Sequence, residues 1–105
     1  MGAADDKFEG DRTLLERTVT AGPAVTAAAD RARAFADPDG LPGARGRYCG
    51  QVALDATGVT DDDVAALRAE GLGDVEIFEY TVAAAVGQAG RQLDAALAAL
   101  RGSKG

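Results

Sequence analysis

The stretch from Asp74 to Arg101, DVEIFEYTVAAAVGQAGRQLDAALAALR, decides the fold class. Phe78, Val82, Val86, Ala89, Leu93, Leu97 and Leu100 recur at steps of four and three, which places them on one face of an α-helix. At 1.5 Å per residue this helix is roughly 40 Å long. A helix longer than a small domain needs is a candidate interface, and Phe78, Val82, Val86, Leu93 and Leu97 are the expected oligomer contacts. Within the same helix Ala83, Ala84, Gly87 and Gly90 form a small-residue surface that another backbone can approach closely.

Upstream, GVTDDDVAALRAEG predicts a second well-marked helix. Thr60 is a good N-cap with Asp63 at the third helical position, Val59 and Val64 can form a hydrophobic staple, and Asp61, Asp62 and Asp63 sit at the positive end of the dipole. Gly71 supplies a left-handed C-cap. Capping accounts for the aspartates better than a calcium loop, whose alternating oxygens, central glycine and distant glutamate are missing.

Towards the N-terminus, DPDGLPG (Asp37 to Gly43) is the clearest loop. It precedes a short helix, ARGRYCGQVALDATG, in which Tyr48 and Val52 share a face with Cys49 and Ala53 alongside, although Gly46 and Gly50 weaken it by roughly 1 kcal/mol each relative to Ala. DRTLLERTVTAG predicts a first helix with Leu14, Leu15, Thr18 and Val19 at helical spacing, broken by Gly22-Pro23. Pro23 suits the first turn of the next helix, whose Val25, Ala28, Ala32 and Phe35 lie on one side. Residues 1–9 are acidic and read as a disordered start, and residues 10–105 as a single domain. Strand signals are absent, so the expected fold is all-α, a bundle of about four to five helices.

Apolar residues make up 47% of the 105-residue chain but aromatics only 5%, so the core is thin and a partner subunit is a natural way to complete it. A formal charge of −6 argues against nucleic acid and against anionic membranes, because both need basic surface. The polar, acidic start shows no signal-peptide pattern, and no apolar run reaches the ~20 residues of a membrane span. A cytoplasmic location is expected, in keeping with a single cysteine that cannot form an intrachain disulfide.

That cysteine, Cys49, lies in RGRYCG between Arg45 and Gly50, in a chain without histidine. Arg45, Arg47 and Tyr48 could activate it as a nucleophile or redox sensor, which requires a low pKa and solvent access. The competing reading is a small apolar residue filling a helix contact. Zinc ligand sets and Ser-His-Asp arrangements cannot be assembled, and neither metal nor cofactor is expected. On the long helix Tyr80, Ala84 and Gln88 share one face and could line a polar strip inside an oligomer.

The block from Val52 to Leu100, through GVTDDDVAAL, GLGDVEIFE and TVAAAVGQAGRQLDAAL, resembles the helical repeat of the AhpD-like alkylhydroperoxidase and carboxymuconolactone decarboxylase superfamily. The resemblance implies an AhpD-like helical bundle whose long helices pack about symmetry axes as dimers, trimers or hexamers. It also implies chemistry that these residues do not support. The peroxidase members use a Cys-x-x-Cys pair followed four residues later by His, with a Glu roughly a dozen residues upstream. With Cys49 as the first cysteine, the second falls at Val52 and the histidine at Ala56; with Cys49 as the second, they fall at Gly46 and Ala53. Twelve residues before Cys49 stands Asp37, beside Pro38 in the loop. The decarboxylase members resemble proton-transfer catalysts built on histidine and glutamate, which here leaves Glu76, Glu79 or Asp55 alone. The expectation is therefore a homo-oligomeric scaffold, accessory or ligand-binding protein that kept the fold and lost the site, with a small apolar ligand or a partner protein between its helices. The alternative is a thiol-dependent, alkylhydroperoxidase-like oxidoreductase using Cys49 with Arg47 and Tyr48.

Overall fold

The computed structural model describes residues 3–102, with side chains from Gly10 onward, and among these residues there is no strand. Five helices follow in order: α1 (Ala3–Ala21), α2 (Ala28–Ala36), α3 (Gly43–Asp55), α4 (Asp61–Ala69) and α5 (Asp74–Gly102). Short 3-10 turns at Pro38–Gly40 and Ala56–Gly58 flank α3. Of the start expected to be disordered, Met1, Gly2 and the side chains of residues 3–9 lie outside the described residues, and α1 runs from Ala3.

Local chemistry accounts for the helix ends. At α4 the Thr60 hydroxyl accepts from the Asp63 N–H at 3.2 Å and the Asp63 carboxylate accepts from the Thr60 N–H at 2.9 Å, a reciprocal cap. Gly71 follows at φ +93°, where an L side chain would be strained. α3 begins after Pro42 without a side-chain cap of its own. Its Ala44 N–H donates instead to Glu70 at 2.8 Å, so the end of α4 closes the start of α3.

α2 starts five residues later than Pro23 suggests, and the segment before it is held by the backbone N–H groups of Val25 and Thr26, which donate to the Glu79 carboxylate at 3.0 and 2.8 Å. The inward face of α2 also differs from the expected one: Arg31 and Ala34 are buried, whereas Val25 is 69% exposed and Ala28 and Ala32 face solvent.

α2 and α3 pack on one side of α5, with α4 against α3. The core is Ala34, Leu41, Ala44, Tyr48, Cys49, Val52, Leu67, Ile77, Tyr80, Ala83 and Ala84, with Val59 and Val64, the expected staple, packed on its edge. Leu67 is 1% exposed, a burial that contributes about 1.5–3 kcal/mol. α1 runs antiparallel beside the C-terminal half of α5. Arg12 donates to Gly90 O and Asp94, while the segment after α1 reaches back to Glu79. α5, about 43 Å long, sets the longest dimension of a molecule measuring 50 × 29 × 19 Å.

Candidate functional site

Cys49 sits on the inner face of α3 with no exposed surface. Burial pushes its thiol up to about 11 against a weaker opposing pull from Arg45, so the thiol is protonated at neutral pH. Desolvation wins here because the Arg45 charge is already engaged. Its guanidinium lies 3.6 Å from Asp30 and 3.9 Å from Glu70, and donates to the Tyr80 hydroxyl at 3.5 Å. Tyr80 in turn donates to Asp30 at 3.4 Å, and burial raises its pKa. Arg45 thus ties α2, α3, α4 and α5 together.

The other residues expected beside the thiol are committed elsewhere. Arg47 is exposed, so its charge is solvated. The Tyr48 ring is buried, and its hydroxyl lies 2.7 Å from Thr81 Oγ1. Since the Thr81 hydroxyl gives its own hydrogen to Ile77 O, Tyr48 is the donor of that pair. Asp37 pairs with Arg33 at 3.3 Å on the surface.

Each carboxylate considered for proton transfer holds backbone. Glu76 accepts from the Gly73 N–H at 3.0 Å, and Asp55 accepts from the Thr57 N–H and hydroxyl at 3.1 and 2.6 Å. Glu79 accepts from the N–H groups of Val25 and Thr26 and from the Thr26 hydroxyl at 2.7 Å, and these bonds hold its pKa below the usual value. The strip of Tyr80, Ala84 and Gln88 does not line an open surface: Tyr80 and Ala84 are core, and Gln88 takes hydrogen bonds from Arg91 at 3.1 and 3.2 Å.

No family model matches the chain, and no similar curated protein or solved structure was found.

What α5 offers instead is a second face. Its core residues are Ile77, Tyr80, Ala83, Ala84 and Gly87. The expected contacts lie on the other side: Phe78 is 67% exposed, and Val82, Val86, Leu93 and Leu97 are half-buried. Between α1 and α5 this face opens into a groove of about 330 Å³, with Leu15, Val86, Ala89 and Leu93 as its apolar walls and Asp11, Arg12 and Glu16 at its rim. The sequence pattern puts these apolar residues on one face but does not reveal the part played by Arg31. That side chain, 4% exposed, donates from α2 to Val19 O at 3.0 Å and Gly22 O at 2.7 Å, capping the end of α1. Its partners are backbone carbonyls, which carry no residue-specific signal.

Among the described residues no group of side chains is arranged to hold a metal ion, and no helix is long and apolar enough to cross a membrane.

Proposed function

We propose that this chain is a non-catalytic helical interaction module whose working surface is the outward face of α5 with the flanking part of α1. The observation that carries this reading is the contrast between neighbours on α5: Ile77 is 8% exposed and Phe78 is 67% exposed. The helix commits one apolar face to its own core and leaves another partly in water beside α1, and an exposed apolar patch of this kind marks an interaction site. The resemblance of Val52 to Leu100 to the AhpD-like scaffold belongs to the same reading. On that view the chain keeps long helices suited to symmetric packing and lacks the Cys-x-x-Cys and His relay. The lone thiol is packing, consistent with a reducing, cytoplasmic setting.

The test is intact mass after mild hydrogen peroxide in the presence of a sulfenic-acid trap, on native and on denatured protein. Cys49 protected until denaturation agrees with the proposal. Native Cys49 trapped faster than the unfolded chain overturns it in favour of a one-cysteine peroxidase.

A further inference from the structure

The outward face of α5 has an internal order that identifies what covers it. With Val75, 57% exposed, the series runs Val75, Phe78, Val82, Val86, Ala89, Leu93, Leu97 and Leu100. Val75, Val86 and Leu97 are eleven residues apart, as are Phe78, Ala89 and Leu100, and an eleven-residue repeat keeps a stripe close to one side of a nearly straight helix. The spacings read the same from either end. An antiparallel copy of the same helix therefore meets this one with apolar against apolar throughout: Val75 near Leu100, Phe78 near Leu97, Val82 near Leu93 and Val86 near Ala89.

Charge selects that direction. The first turn of α5 carries Asp74 and Glu76 and the last turn carries Arg101. Asp74 is already paired with Arg68 at 2.6 Å, so the direction rests on Glu76 and on the dipoles: parallel pairing would align the helix dipoles and set Glu76 on Glu76, whereas antiparallel pairing opposes the dipoles and brings Glu76 towards Arg101.

We propose that the occupant is a second copy of this chain, its α5 lying antiparallel across this face about a two-fold axis between Gly87 and Gln88. The second copy's Val82 enters the groove between α1 and α5, where Leu93 and Leu15 receive it, and its Phe78 lies on Leu97 beyond the groove. The two copies thus build a four-helix layer from paired α1 and α5. This inference rests on the interaction-surface reading and adds partner, direction and register to it.

Spin labels test it at two exposed alanines beside the seam, Ala85→Cys and Ala99→Cys, each on a Cys49→Ala background. In the antiparallel dimer the Ala85 labels lie within about 20 Å of each other and the Ala99 labels about 35 Å apart or more, since the latter stand some 23 residues apart along the paired helices. Short distances at both positions mean parallel pairing and overturn the proposal. A monomeric sedimentation coefficient with no dipolar coupling at either position also overturns it, and assigns the face to a foreign helix or an apolar ligand. That failure leaves the interaction-surface reading standing, which has its own test in the peroxide experiment. If Cys49→Ala disturbs the fold, the same labels in the wild-type background serve, because buried Cys49 does not take label.

Discussion

Gly87 of α5 lies against the carbonyl of Phe35 on α2, so close that a Cβ at Gly87 would overlap the oxygen. Arg91, one turn further along, donates to that same carbonyl at 2.6 Å. Together they hold the end of α2 at backbone distance from α5 and fix which side of the long helix faces inward. Ile77, Tyr80, Ala83 and Ala84 follow on that side, and Phe78, Val82, Leu93 and Leu97 are left on the other.

Gly87→Ala separates two opposing effects. Helix propensity alone would stabilise α5 by about 1 kcal/mol. Overlap with a backbone oxygen cannot be relieved by rotating a side chain, so the expected result is a net loss of about 1–3 kcal/mol. Urea unfolding followed by circular dichroism gives the sign, and a stabilised variant would mean that α2 does not approach α5 this closely.

Glu79 couples the fold to acid. Its folded pKa is depressed by the bonds from Val25 and Thr26, so its contribution is present above the unfolded value near 4.3 and is lost as pH falls through the folded value. Glu79→Gln is expected to lower the urea midpoint at pH 7 and to flatten its decline below about pH 4.5. An unchanged acid limb would show that the 22–27 segment is held by something else.

Cys49 gives the opposite limb. Its folded thiol is raised to about 11 from 9.0, so its contribution is complete below pH 9, where both states are neutral, and declines as pH rises towards 11 because only the unfolded chain ionises freely. The loss over that range is on the order of 2 kcal/mol. Alkylation of the native protein should climb steadily with pH and show no plateau below about pH 10. A plateau near pH 8 would place the thiol in an activating environment.

Thr60→Ala removes one half of the reciprocal cap on α4 and should cost about 1 kcal/mol by denaturant unfolding. Asp61→Asn, a neighbour in the chain but outside the cap, should cost only a few tenths of a kcal/mol through the helix dipole. Equal costs would mean that charge at the helix start matters as much as the Thr60 bond.

Features written locally are legible in the amino-acid sequence. Thr60, Asp63 and Gly71 bound α4 because the groups that satisfy one another lie within a few residues. The extent of α5 is equally plain, since its apolar period persists over seven turns or so. The choice of core face is not. Both sides of α5 are apolar, and its inner side includes the small residues Ala83, Ala84 and Gly87, whose role appears only when the α2 backbone reaches Gly87. Pro23 suggests too early a start for α2, and the partner that holds the intervening segment, Glu79, lies more than fifty residues away. The two readings of Cys49 stay open at the level of sequence for the same reason: its burial is set by packing from other helices, and the opposing charge of Arg45 is held by Asp30 and Glu70 from outside α3.

The most direct measurement is sedimentation velocity with circular dichroism on the wild type and on Phe78→Asp at equal concentration, where the wild type is expected to sediment as a dimer. Phe78 stands outside the core and at the proposed seam, so the expected result is a monomer with wild-type helix content. An assembly of unchanged mass would show that the outward face of α5 is not where the copies meet, and an unfolded chain would show that Phe78 serves the core after all.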